Sequence, residues 1–305
     1  VLRALISLGT NTVRLLVVRD EPGRELEQIE HDQIGTRLGE GLADSGAFAP
    51  AAVERTLAAV ATFAARARTC GASLAGIATS AMRRADDADA FAERFAEVAG
   101  VSLVVIAGQT EAEASFLGAT HGADLGGARI AVLDIGGGST ECAAGSAGRL
   151  DAATSLELGS VRVAERFPDL RGTSPGDAAR AAAGRARIDI ARILAPLAAF
   201  APVAQLRCVA GTPLTIAAVA FASHVDRVSG RTLSLATIDA TIDRLLDLDL
   251  GARRALPGML PQRADVLAAG GLILSESLRA LGVDEALLES NDLLLGYLAM
   301  TRPRG

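Results

Sequence analysis

The sequence has no tryptophan, a single tyrosine and no lysine, so its 30 basic residues are all arginine. With aromatics at 3% of the chain, a stacking platform for single-stranded bases or sugars is excluded. Acidic residues number 36 and the net charge is −6. That balance argues against a nucleic-acid surface and against a long basic channel for a polyanion, while leaving room for a local arginine cluster. Cys70, Cys142 and Cys208 make no Cys-x-x-Cys pair and read as buried free thiols in a reducing compartment. His31, His121 and His224 lack ligand spacing. No apolar run reaches the length of a membrane span, and the N-terminus lacks a signal-peptide pattern. These absences predict a cytoplasmic protein with neither a nucleic-acid nor a membrane partner.

What is present is apolar residues and glycine. Half the residues are hydrophobic, and 305 residues exceed the usual size of one core, so two domains are expected. The chain is organised around Arg129 to Glu141, which reads Arg-Ile-Ala-Val-Leu-Asp-Ile-Gly-Gly-Gly-Ser-Thr-Glu. Ile130 to Leu133 predicts a buried strand. Asp134 ends it, then come Gly136, Gly137 and Gly138, then Ser139, Thr140 and Glu141. Three successive glycines admit positive φ and let bare N–H groups approach a ligand, which suits a phosphate. If the chain reverses there, Asp134 and Glu141 come together where a divalent cation bridging phosphate oxygens would sit. A plain hairpin would need only one glycine.

The N-terminus carries a similar stretch. Ile-Ser-Leu-Gly-Thr-Asn-Thr at 6–12 stands beside Leu-Asp-Ile-Gly-Gly-Gly-Ser at 133–139. Two strand–turn–strand openings one domain apart point to a duplicated architecture with two phosphate turns facing one cleft. Residues 21–33 read as polar with a Pro-Gly turn, and 34–42 as a glycine-rich loop or strand edge. The pattern then predicts a helix at 50–70, a strand at 74–79, a helix at 89–100 closed by Gly100, and a strand at 101–106. A helix starting near Thr110 places Glu111 in its first turn, as a capping acid or as a functional carboxylate.

Beyond a hinge at 120–127, residues 152–162 read as strand and glycine turn, and 177–199 as helix. A strand at 206–209 runs into Ala210-Gly211-Thr212-Pro213, a third turn of phosphate or nucleotide type, followed by a helix at 214–222. Further helices are expected at 238–248, 264–281 and 284–300. The alternation predicts a mixed α/β fold in two lobes, 1–122 and 123–305. The last helical part, 291–303, would pack back towards the first lobe.

Taken together, these turns resemble the exopolyphosphatase / guanosine pentaphosphate phosphohydrolase family of the actin-like ATPase and sugar kinase superfamily. The matching stretches are Leu8-Gly9-Thr10-Asn11-Thr12, Thr79-Ser80-Ala81-Met82-Arg83, Glu111-Ala112, the central run from Asp134 to Glu141, Leu158-Gly159-Ser160-Val161-Arg162, and Arg263-Ala264-Asp265. They fall in family order along nearly the whole chain. The resemblance implies two ribonuclease H-like (actin-like ATPase) lobes around an interdomain cleft. It implies that Glu111 is the general base for the attacking water, that Asp134 and Glu141 hold Mg²⁺ or another divalent cation, and that Arg83 binds a phosphate. Gly9, Thr10, Asn11 and Thr12, Gly136 to Thr140, and Gly211 and Thr212 would cradle the other phosphates. The implied substrate is polyphosphate or guanosine pentaphosphate, and a homodimer is compatible with it. The chemistry agrees, since phosphoanhydride cleavage needs an oriented water and charge neutralisation on the transferred group.

Four positions depart from the family pattern. Ser7 stands where relatives carry aspartate, Glu113 where they carry arginine, and Gln109 and Pro213 also differ. Glu113 brings a like charge near Glu111 that would raise its pKa. The chain also stops at the two-lobe core, without the helical C-terminal domain of long relatives, which implies short chains or a nucleotide phosphate tail as substrate. Two other classes remain beside the hydrolase. One is a non-catalytic phosphate or nucleotide sensor, motivated by Ser7 and Glu113. The other, an ATP-dependent kinase, is disfavoured by Glu111 and by the lack of a sugar-site motif.

Overall fold

Each half of the chain opens with an antiparallel hairpin and continues through helical crossovers to parallel strands. The computed structural model describes residues 1–123, 125–146 and 149–302. The first half runs β1 (Leu2–Leu8), β2 (Thr12–Arg19), β3 (Glu27–Gly35), α1 (Leu42–Ser45), α2 (Pro50–Thr69), β4 (Ser73–Ala78), α3 (Ser80–Arg84), α4 (Ala88–Ala99), β5 (Leu103–Val105) and α5 (Gly108–Ala119). The second runs β6 (Arg129–Ile135), β7 (Thr140–Ser146), β8 (Arg149–Leu156), α6 (Ser160–Arg166), α7 (Asp177–Leu194), β9 (Gln205–Val209), α8 (Gly211–Ala220), β10 (Thr232–Ser234), α9 (Leu235–Leu246), α10 (Leu250–Arg254), α11 (Leu267–Leu281), β11 (Glu285–Leu288) and α12 (Leu293–Met300). The predicted hinge contains residue 124 and the predicted last segment ends at 303; both positions lie outside the described residues. Among the described residues, no helix is long and apolar enough to cross a membrane.

The first sheet has the order β3-β2-β1-β4-β5 and the second β10-β11-β9-β6-β7-β8. In each, a three-strand antiparallel meander is followed by parallel strands on its far side, and in the second sheet an antiparallel edge strand, β10, lies beyond them. The repeated order defines two ribonuclease H-like lobes of the actin-like ATPase kind. Parallel strands need helical cover on both faces. In the first lobe α2 and α4 supply part of it, with Phe63 and Phe95 fully buried against the sheet. The second lobe has the larger core, where α6 to α9 and α11 close over β6, β7 and β9. Cys142 and Cys208 lie within it as free thiols, while Cys70, just past the last turn of α2, is exposed.

Three sequence expectations change. Residues 27–35 form an edge strand, because β2 offers a full ladder to pair with and Arg66 binds Glu30 and Asp32 to hold it there. Residues 160–166 form a helix rather than the end of a strand and turn. The helix expected at 284–300 is instead β11 and α12, separated by a loop. In β11, Ala286 and Leu288 point into the core and Glu285 out, a period of two that a helical reading averages away.

Helices α5 and α12 lie between the lobes. On α5, Ala112, Phe116 and Ala119 pack on the second sheet through Ile130, Val132 and Val209. Ala114 instead joins a cluster with Leu5, Leu16, Ile77, Leu294 and Leu298 on the first sheet. A helix buried on two faces cannot be amphipathic, which explains its run of small and apolar residues with no polar stripe. The last helix therefore packs on the first sheet, although it follows the second lobe in sequence.

Candidate functional site

Sequence-adjacent turns put the chemistry at one end of both sheets. The β1–β2 turn, the β6–β7 turn, the β9–α8 turn and the N-terminus of α12 surround a cleft of about 1020 Å³, open mouth included. Gly9, Thr10, Asn11 and Thr12 form one wall, Gly136 to Ser139 another, and Gly211 a third; Glu111 and Asp134 line it too. The two glycine turns touch. A Cβ on Gly138 would lie 2.5 Å from Thr10 Oγ1 and 2.7 Å from Ser80 Oγ. None of Gly136, Gly137 and Gly138 has positive φ, so these glycines serve close approach rather than a left-handed turn.

The turns keep backbone donors free. Gly136 donates to the Ser139 carbonyl and Gly9 to the Thr12 carbonyl. Among the described residues, no acceptor takes the amides of Thr10, Asn11, Gly137 or Gly138. The Asn11 carboxamide is buried with neither atom paired, and the Ser80 hydroxyl is likewise unpaired. Buried polar atoms in native proteins almost always have partners, and these groups face the cleft, where a ligand's polar atoms can meet them.

Beneath the turns sit three buried carboxylates. Asp134 and Glu141 face each other directly in the β6–β7 ladder, as chain reversal at the glycines requires. Asp134 accepts a 2.7 Å hydrogen bond from Ser115 Oγ on α5, and Glu141 a 2.6 Å bond from Ser155 Oγ on β8. Glu111, in the first turn of α5, accepts from Arg83 Nη1 at 2.8 Å. Burial raises all three pKa values: Glu111 to about 7, Asp134 to about 6, and Glu141 well above the usual carboxylate range. Arg83 opposes the shift at Glu111. The like charge acting on Glu111 is Asp134, not Glu113 as expected, because residues two apart on a helix do not share a face.

Not every expected residue faces the cleft. The Thr140 hydroxyl donates to the Leu158 carbonyl at 2.6 Å and secures the turn. Thr212 packs its methyl beneath Gly270. Arg83 stands behind Glu111 and spends Nη1 on that carboxylate and on the Ile106 carbonyl; its Nη2 is buried and unpaired. Glu141, directly across the ladder from Asp134, does not line the cleft. Gly211 is needed for another reason than its amide, since a Cβ there would fall 2.0 Å from Arg263 Nη2.

Among the cleft residues not singled out as site residues from the sequence are Arg14, His31, Asp226, Arg263 and Asp292. Arg263 is buried with its pKa lowered to about 10 by desolvation, and among the described residues its Nε has no partner. Arg14 is bound to Asp292. Their only sequence signal was the Arg-Ala-Asp run at 263–265, whose Asp265 instead ties the lobes together through Arg37 at 2.5 and 2.9 Å. Ala210, beside Gly211, has φ 69° and ψ 178°, a region essentially restricted to glycine and costing about 1–3 kcal/mol. Ala210→Gly is expected to raise the unfolding free energy by about 1 kcal/mol, which a denaturant titration would measure.

This arrangement sets two actin-like lobes around one cleft, walled by glycine turns and lined by buried carboxylates. The sequence profile of the Ppx/GppA phosphatase family matches residues 16–291, and the chain belongs to that family. Exopolyphosphatase 2 of Mycobacterium tuberculosis is 33% identical, with 96% of each chain covered. The crystal structure of an exopolyphosphatase-like protein superposes with a TM-score of 0.87 at 27% identity, covering 98% of both chains. An exopolyphosphatase from Cytophaga hutchinsonii gives 0.88 at 22% identity over 98% of this chain and 97% of its own, a likeness of fold.

The donor set also fits a divalent cation of the magnesium type. Among the described residues, no group of three or more acidic, His or Cys side chains surrounds one point, so a dedicated cage is absent. Mg²⁺ needs none: one or two carboxylates, waters and substrate phosphates suffice. Asp134 at the cleft, with Glu141 directly across the ladder from it, meets that description.

Proposed function

We propose that the chain hydrolyses the terminal phosphoanhydride of short-chain polyphosphate, of guanosine pentaphosphate, or of both, releasing orthophosphate. The observation that carries this reading is Glu111: a carboxylate at the cleft floor, poised near pH 7 and aimed by Arg83. The terminal phosphate would lie on the free amides of Thr10, Asn11, Gly137 and Gly138. Glu111 takes a proton from a water as that water's oxygen attacks the terminal phosphorus, and the bridging P–O bond breaks with its electrons leaving on the shortened chain. A base with a pKa close to the working pH combines the right protonation state with driving force. When bound, Mg²⁺ on Asp134 would neutralise charge on the phosphate oxygens. Arg263 adds a fixed positive charge to the same cleft, where low dielectric makes it effective.

Orthophosphate release with Mg²⁺ from short polyphosphate, long polyphosphate and guanosine pentaphosphate tests this reading. Release from any of them that collapses in Glu111→Gln supports hydrolysis and names the substrate. No release, with ligand binding intact, would leave a phosphate sensor.

The pH profile makes a second check. Only ionised Glu111 accepts the proton, so kcat/KM should rise with pH through about 7 and then level. Arg83 pulls that pKa down. In Arg83→Gln the rising limb should therefore move to higher pH, with activity approaching the wild-type plateau only in alkaline buffer. A limb that stays in place would remove Glu111 as its source.

A further inference from the structure

The two hairpins are internal equivalents, and they differ at one chemically telling place. Where the second carries Asp134 at its strand end, the first carries Ser7. Ser7 is buried at the cleft wall, so the first hairpin brings no carboxylate of its own to the site. A carboxylate arrives nonetheless, from the far end of the chain. Asp292 lines the same cleft, is 4% exposed, and lies on the residue immediately before α12. Its Oδ2 binds Arg14, the residue paired directly with Ser7 across the β1–β2 ladder. The Asp292 carboxylate is thereby tied to the first hairpin and lines the same cleft as Ser7. Asp134 and Asp292 line the one cleft, and Asp292 is the foremost charged neighbour of Asp134.

We propose that Asp292 supplies the carboxylate that the first hairpin lacks at Ser7, forming with Asp134 the acidic pair that holds the divalent cation or its bound waters. The inference rests on the reading above that this cleft takes such a cation. Asp292 has the capacity for it. A carboxylate offers about four lone-pair positions, and among the described residues two are engaged, by Arg14 and by the Leu294 amide at 3.1 Å from Oδ1. It is also rigidly held. A Cβ on Gly118 of α5 would come within 1.9 Å of the Asp292 carbonyl oxygen, so the backbone at 292 is locked against the helix that carries Glu111. Arg14 on Oδ2 and the Leu294 amide on Oδ1 fix the carboxylate from both oxygens, and Arg14 and Arg263 bring positive charge near Asp134.

Asp292→Asn separates the charge from the fold, because asparagine caps a helix as well as aspartate does. Mn²⁺ binding followed by electron paramagnetic resonance, without substrate, provides a readout independent of turnover. Relative to wild type, Asp292→Asn should weaken Mn²⁺ binding by about tenfold or more. Adding Ser7→Asp in the same chain should recover most of the loss, since it returns a carboxylate to the equivalent place on the hairpin. Wild-type Mn²⁺ affinity in Asp292→Asn, with only a lower melting temperature, would assign the residue to the Arg14 ion pair and overturn the proposal. So would a double variant that recovers nothing. Wild type that binds no Mn²⁺ would overturn both this inference and the divalent-cation reading beneath it, whereas intact wild-type binding with an indifferent Asp292→Asn would overturn this inference alone.

Discussion

Glu111→Gln should lower the turnover of orthophosphate release by about 10²–10⁴-fold, the usual worth of a positioned general base, with little change in KM. Glutamine keeps the shape and can still accept from Arg83, but it cannot take a proton from water. The same variant carries its own control against unfolding. In the folded protein the Glu111 pKa stands at about 7 against an ordinary 4.5, so the fold favours the protonated acid. That preference is fully present below about pH 4.5 and is lost as pH rises through 7, leaving at pH 8 a buried charge costing on the order of 3 kcal/mol at most. Removing the charge should therefore raise the melting temperature at pH 8 by several degrees and change it little at pH 4. An inactive variant that is also more stable at pH 8 separates chemistry from folding. Loss of activity together with a lower melting temperature at pH 8 would count against the assigned role.

Gly296→Ala should be the most destabilising single-methyl change in the protein. A Cβ at 296 would lie 1.7 Å from the Ala114 carbonyl oxygen and 2.6 Å from its carbon. Both are backbone atoms of α5, so no side chain can turn aside and the helices must part. Overpacking of this kind typically costs about 1–3 kcal/mol and more when backbone must move. The expected loss is about 3 kcal/mol or greater, or at least about 5 °C in melting temperature. Because α5 carries Glu111 and Ser115, the displacement should also depress kcat. Gly184→Ala is the matched control. It lies in α7 with nothing within 4 Å of the added methyl and should stabilise by about 0.5–1 kcal/mol. Equal melting temperatures for the two variants would show that α5 and α12 are not packed this closely.

The site was partly legible in the sequence for a local reason. Strand, turn and glycine run within a few residues of each other, so the stretches at 8–12 and 134–141 announce two hairpins, and the match between them announces the duplication. The place of Glu111 in the first turn of a helix left a capping role and a functional one equally open, and only the family resemblance favoured the second. Thr140 and Thr212 were misplaced because a hydroxyl next to a glycine turn reads the same whether it points into the cleft or back to a carbonyl. That choice belongs to the ladder register and to what packs behind the turn.

What the sequence by itself determined is the alternation of strands and helices, the turns, and the carboxylate pair Asp134 and Glu141 that the register β6–β7 sets face to face. These depend on period and on near neighbours. Only the tertiary structure decided that α12 returns to the first sheet, that Gly118 and Gly296 let it lie against α5, and that Arg14, Arg263 and Asp292 converge on one cleft. It also decided the protonation of Glu111, since desolvation depends on everything packed around a group and not on its sequence neighbours. Contacts between residues hundreds of positions apart leave no periodic trace in a single chain. They exist because two duplicated sheets must each bury a second face, and the helices that cover those faces carry the residues that meet between them.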